Sequence, residues 1–166
     1  MSTPDDLTSQ AERASAAIAR AAMRDARTIA VAESLTGGKV SCHLGAAPHS
    51  SEWFQGCLVA YASDVKHRVL GVPDGPVVSE VAAAAMAVGV AGLLDADLAV
   101  AVTGVGGPDP QDGEPPGTVW FGLSSHGEVT TDLQRWDGEP EDILDRTTVH
   151  ALTLLERALE RRAARD

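Results

Sequence analysis

The chain has 166 residues, 44% apolar and 22% charged, which suits one domain with its own core and argues against a disordered or fibrous chain. Its formal net charge of −11 repels phosphate backbones, so nucleic acid is not an expected partner, although a single phosphate in a locally positive pocket remains compatible. No apolar stretch free of polar residues approaches membrane-spanning length and no basic-then-apolar leader opens the sequence, so neither a membrane partner nor a signal peptide is expected.

The elements follow in chain order. Thr3-Pro4-Asp5-Asp6 combines a capping hydroxyl, proline at the first helical position and acids facing the positive helix end, and it predicts a helix over about 4–24. Thr28 to Ala32 reads as a short buried strand. Glu33 to Gly38 reads as a turn opening a helix that runs to about Leu44. Leu58 to Tyr61 is a second strand and Asp64 to Leu70 a short helix. Pro73-Asp-Gly-Pro76 breaks the chain, after which Ser79 caps an alanine-rich helix over Glu80 to Leu94. Leu98 to Thr103 is a third strand. Gly104 to Pro116 is a glycine-, proline- and acid-rich loop between strands. Thr118 to Ser124 and Glu128 to Trp136 alternate as a hairpin about Ser125-His-Gly127, and a last helix spans about Glu141 to Arg162.

This order predicts one three-layer α/β/α domain over 1–166, with its core at about 28–163 and a mixed, partly parallel sheet. Alanine dominates the apolar set and aromatics are only 4%, which favours close helix packing. Cys42 and Cys57 lack CxxC spacing and are expected as buried reduced thiols, which points to a cytoplasmic setting.

Three stretches carry chemistry. The strand-to-helix turn Glu33-Ser-Leu-Thr-Gly-Gly38 offers hydroxyls at Ser34 and Thr36. Gly37 and Gly38 let backbone approach a ligand, and free amides at the helix start favour an anion. An ordinary capped turn is the competing reading. Thr103-Gly-Val-Gly-Gly-Pro108 also leaves a strand end, where ligands of open α/β sheets sit, and the backbone at Gly104 and Gly106 could supply oxyanion donors. A flexible turn is the alternative there.

The third stretch runs from Ser51 to Lys66 and places Ser51, Tyr61 and Lys66 around one apolar run. Serine needs a base to become a nucleophile. A lysine held neutral by burial can serve, as in Ser-Lys acyl transfer, with tyrosine sharing the proton. Read blandly, Ser51 caps a short helix starting at Glu52-Trp53, Tyr61 is a strand residue and Lys66 is solvated. Asp109, Asp112 and Glu114 lack the calcium-loop pattern, and the five histidines lack zinc spacing, so no metal and no other cofactor is expected.

Five blocks of the sequence resemble, in order, those of the CinA C-terminal domain family. They are Val31-Ala-Glu-Ser-Leu-Thr-Gly-Gly38, Phe54 to Tyr61 with Lys66 and Leu70-Gly-Val72, Val78-Ser-Glu80, Ala101 to Pro108, and Gly117-Thr-Val-Trp-Phe121. They cover about residues 5–160. The resemblance implies a nicotinamide-mononucleotide deamidase. Such an enzyme hydrolyses the carboxamide to the acid and ammonia with a serine assisted by tyrosine and lysine, roles that it places on Ser51, Tyr61 and Lys66. It implies a small pyridine nucleotide as partner, contacted by Ser34, Thr36, Gly37, Gly38, Thr103, Gly104 and Gly106.

Departures from the family pattern stand at Leu35, Cys57, Ser63 and Gly106. A further departure is Gly138-Glu-Pro140 with Leu144, where the family has arginines. Arg146 matches a further basic position and is the candidate for holding the phosphate. A non-catalytic nucleotide-binding protein, or a competence- or damage-related interaction module, is the alternative function. Alanine-rich helices are expected to pack across a symmetric interface as a homo-oligomer, a dimer or a higher even assembly.

Overall fold

Period-2 patterning in the strands sets the layers. In the computed structural model, which describes residues 4–163, β1 (Ile29–Glu33), β2 (Phe54–Val59), β3 (Leu98–Gly104), β4 (Thr118–Ser125) and β5 (Glu128–Arg135) form one sheet in the order β2-β1-β3-β4-β5. β1 pairs in parallel with β2 and β3, whereas β3–β4 and β4–β5 are antiparallel. Ile29, Val31, Leu98, Val100 and Val102 turn to one face. There they pack with Val119 and Phe121 under α1 (Pro4–Arg24), α2 (Lys39–Ala46), α3 (Ser50–Trp53) and α6 (Pro140–Ala163), against Ile18, Leu44, Trp53, Ile143, Leu152 and Leu155. The intervening Ala30, Ala32, Ala99 and Ala101 turn to the other face, under α4 (Ser63–Leu70) and α5 (Glu80–Leu94).

Small residues let α5 lie close on its face. A Cβ at Gly122 of β4 would stand 2.1 Å from the Ala83 carbonyl oxygen, and one at Gly89 of α5 would stand 2.3 Å from that of Leu70. On the opposite face the strands present branched residues, Ile29, Val31, Val100 and Val102, to the α1–α6 layer. The result is the three-layer α/β/α domain with a mixed sheet that the element order predicts.

The hairpin turns on His126 (φ 52°) and Gly127 (φ 80°), a two-residue turn with both residues left-handed, as the twist of antiparallel strands prefers. The cap expected from Thr3 lies outside the described residues. Two local readings change. The second strand lies earlier than Leu58–Tyr61, ending at Val59, because α3 delivers the chain straight into Phe54. Cys42 and Cys57 are exposed free thiols rather than buried ones, since β2 is an edge strand and Cys42 lies on the outer side of α2. Among the described residues, no helix is long and apolar enough to cross a membrane and no cluster of side chains suits a metal ion.

Candidate active site

The parallel strands β1, β2 and β3 all end at one edge of the sheet, and β5 ends there too because it runs with β3. The β1 exit is built around Glu33. Its side chain is fully buried, and its carboxylate accepts from the amides of Gly38 (3.0 Å), Val40 (3.2 Å) and Ser41 (2.8 Å) and from the Ser41 hydroxyl. A carboxylate at a helix start satisfies orphan amides and complements the helix dipole. Residues 34–38 are thereby pulled into a tight turn, in which the Gly37 amide donates to Ser34 O (3.0 Å) and the Lys39 amide to Thr36 O (3.1 Å).

Gly37 and Gly38 take left-handed conformations, φ 57° and 107°, that only glycine adopts at no steric cost. Their amides are already engaged, so they shape the turn instead of offering donors to an anion. Among the described residues, no group accepts from the amides of Leu35 and Thr36, and none bonds the hydroxyl of Ser34. Ser34 is buried, and Thr36 Oγ1 is buried with no partner. Glu33 itself was missed by sequence reasoning. Its signal is an acid ending an apolar strand five residues before Gly38.

The β2 exit is tied to the β1 exit by the Ala60 amide donating to Glu33 O at 2.7 Å, so the chain leaves both strands at the same end of the sheet, Ser34 following one and Tyr61 the other. Tyr61 is 72% exposed, while its carbonyl oxygen accepts from Lys66 Nζ at 3.2 Å. Lys66 is only 2% exposed although it is charged in type, and burial lowers its pKa below the ordinary lysine value, with Asp112 partly opposing that. An ammonium has three donors. The Tyr61 carbonyl takes one, so two are left for substrate or a neighbouring hydroxyl.

Ser51 does not join this group. It lies on α3 ahead of β2, whereas Tyr61 and Lys66 follow β2. Six strand residues at about 3.3 Å each put roughly 20 Å of sheet between them. The local sequence neighbourhood of Ser51, Tyr61 and Lys66 is therefore not a spatial one. The serine at the lysine's edge is Ser34.

The β3 exit differs from expectation as well. The Thr103 hydroxyl donates to Val77 O at 2.6 Å, so it ties β3 to the segment before α5 and is not open to a ligand. Gly104 is needed for close approach, since a Cβ there would lie 2.6 Å from Thr118 O. A Cβ at Gly106 would lie 3.7 Å from the Leu144 side chain and 4.0 Å from that of Leu35, and one at Gly107 would lie 3.3 Å from Pro116 and 3.7 Å from Pro140. Four of the positions that depart from the family pattern, Leu35, Gly106, Pro140 and Leu144, thus come together in one apolar wall beside the Ser34 turn, whereas Cys57 and Ser63 lie on β2 and α4. Arg146 is two residues beyond Leu144, about 200° round α6, so the face that meets the loop carries Leu144 and not Arg146. Lys39 is held by Asp145 at 2.5 Å. A separate groove between α1 and α6, lined by Gln10, Arg13, Arg20, Thr153 and Glu156, lies on the outer helix layer, and its Thr153 hydroxyl is engaged in donating to Val149 O at 2.8 Å.

Comparison with known proteins places this arrangement in a family. The model of the CinA C-terminal domain matches residues 11–159. A CinA-like protein of Frankia casuarinae is 42% identical over 137 residues, 80% of this chain and 32% of that protein. One of Gemmatimonas aurantiaca is 41% identical over 155 residues, 90% of this chain and 36% of that protein, so the chain spans about a third of these relatives' length. Among solved structures, a competence-damaged protein (CinA) superfamily protein of Escherichia coli superposes with TM-score 0.85 at 32% identity, covering 94% of both chains. Its Klebsiella pneumoniae counterpart gives 0.86 at 29% identity, covering 91% of this chain and 98% of that one. With the matched blocks forming one continuous sheet edge, the chain belongs to the CinA C-terminal domain family.

Proposed function

We propose that the protein is a serine amidohydrolase of the nicotinamide-mononucleotide deamidase type, with Ser34 as nucleophile and Lys66 as base. One observation carries the reading. A buried lysine whose charged form is disfavoured stands at the same strand edge as a buried serine with an unbonded hydroxyl. Neutral Lys66 takes the Ser34 proton as Oγ attacks the carboxamide carbon. The carbonyl oxygen becomes an oxyanion facing the amides of Leu35 and Thr36, which have no acceptor among the described residues. The C–N bond breaks, the nitrogen takes the proton from Lys66, and ammonia leaves. Water, deprotonated by Lys66, then attacks the ester and releases the acid. Tyr61 contributes through its carbonyl, which orients Lys66.

The wall of Leu35, Gly106, Leu144 and Pro140 suits the flat face of a pyridine ring. Ammonia release from nicotinamide mononucleotide and from the dephosphorylated riboside tests the reading. Wild type is expected to turn over the carboxamide. Ser34→Ala is expected to lose at least a thousandfold in kcat/KM, as loss of a nucleophile does, with Ser51→Ala within twofold of wild type. Loss of turnover in Ser51→Ala with retention in Ser34→Ala would reverse the assignment. Binding of the nucleotide without ammonia release would instead support a non-catalytic binding protein. Equal turnover with and without the phosphate is the outcome favoured by an edge where Leu144 replaces a cation and Lys39 is paired.

A further inference from the structure

The loop between β3 and β4 is the longest irregular segment at the candidate site, and it is not free. Gln111 and Glu114 exchange backbone hydrogen bonds of 3.1 and 2.8 Å around Asp112 (φ 53°) and Gly113 (φ 80°), a tight turn with both central residues left-handed. That turn aims the Asp112 carboxylate across at the segment before α5, where one oxygen accepts from the amides of Val77 (2.8 Å) and Val78 (3.0 Å). The Thr103 hydroxyl bonds the same segment at Val77 O. The segment begins at Val72, whose amide donates to Lys66 O at 3.2 Å. Loop, segment and lysine helix therefore form one connected unit.

We propose that Asp112 is a positioning residue for the hydrolysis, latching the 105–117 loop onto the segment ahead of α5 so that the loop is held closed beside Lys66. The proposal rests on the amidohydrolase reading. Two amide-to-carboxylate hydrogen bonds on one oxygen fix the loop more firmly than its glycines and prolines would alone. The same carboxylate supplies negative charge near the buried amine and supports its ammonium form against burial. The field at Lys66 comes from Asp112, not from Asp64, His67 or Arg68 on α4, Glu33 ending β1, Cys57 on β2 or Glu80 on α5. Glu33, Asp64, His67, Arg68 and Glu80 are engaged in hydrogen bonds and ion pairs of their own surroundings. Glu33 caps α2, Arg68 faces Asp64, His67 contacts Val72 O, and Glu80 accepts from Thr131.

The test compares wild type, Asp112→Ala and Asp112→Asn by ammonia release across pH and by amide hydrogen exchange at Val77 and Val78. Asp112→Ala is expected to speed exchange at both amides and to lower kcat/KM about a hundredfold, as loss of positioning does. Asparagine tolerates the left-handed turn and keeps an accepting oxygen. Asp112→Asn is therefore expected to restore slow exchange and most of the rate. Its acidic limb of kcat/KM should move to lower pH, because Lys66 loses the charge that favours its protonated form. Unchanged exchange and rate in Asp112→Ala would overturn the latch, and an unmoved acidic limb in Asp112→Asn would overturn the part assigned to charge. An inactive wild type would overturn the amidohydrolase reading and this proposal together, whereas an active wild type with an unaffected Asp112→Ala would overturn this proposal alone.

Discussion

Lys66 concentrates the chemistry into one side chain. Its side chain is almost wholly withdrawn from bulk water, and one carbonyl oxygen replaces part of the amine's hydration shell. Folding therefore lowers its pKa from the ordinary lysine value of 10.5. Between the folded pKa and 10.5 the unfolded chain binds more protons than the native one, so this group makes stability rise with pH through that window and penalises the fold below it. Lys66→Met is expected to abolish ammonia release and to raise unfolding free energy near neutral pH by about 1–3 kcal/mol, the scale of relieving a poorly satisfied buried polar group. The gap from wild type should narrow as pH approaches 10.5. Chemical denaturation at several pH values measures both effects, and a less stable Lys66→Met would mean that the amine holds the structure together. Along the sequence, Lys66 and Tyr61 can be singled out as chemistry-bearing types, but their serine cannot. Ser51 is nearer in number, while Ser34 is nearer in space because β1 and β2 are parallel and end together.

At the scale of one element, α2 shows how a helix start becomes part of a site. Glu33 ends β1 and immediately satisfies three amides and a hydroxyl of the helix that follows. The Ser34 turn has no room to relax, because both of its ends are held by the same residue. Glu33→Ala leaves those donors buried without an acceptor, and the expected cost is about 2–4 kcal/mol. Urea unfolding reads that cost, and a loss under 0.5 kcal/mol would show that water replaces the carboxylate freely. The strand-turn-helix pattern and its two glycines were legible in the sequence. The occupant of the helix start was not, since an acid at a strand end reads equally as a solvent-facing or ligand-facing group until its burial is known.

Across the whole molecule, the two faces of the sheet are packed by different rules. Branched residues on one face pack against α1, α2 and α6, while alanines and glycines on the other let α5 settle onto the strands. Gly122→Ala places a methyl group 2.1 Å from the Ala83 carbonyl oxygen, closer than any relaxed contact. It is expected to displace α5 and to cost about 1–3 kcal/mol as overpacking. Because Ser79 and the Asp112 latch precede α5 directly, the same substitution should slow turnover. A melting temperature unchanged within 1 °C would show that α5 can shift without loss.

Periodicity, capping residues and the order of elements were enough to determine the three-layer α/β/α fold, because these are local properties of a chain that must bury alternating apolar residues. The five-block resemblance extended that to the family. Which serine shares a strand end with Lys66, that the Gly37 and Gly38 amides are already engaged, that the Thr103 hydroxyl is a structural tie, and that Leu144 and not Arg146 meets the Gly106 loop were decided only by tertiary structure. Each depends on which end of a strand, or which side of a helix, a residue occupies once distant segments pair. A six-residue strand puts about 20 Å between neighbours in sequence, and one hydrogen bond between strand ends joins Ala60 to Glu33.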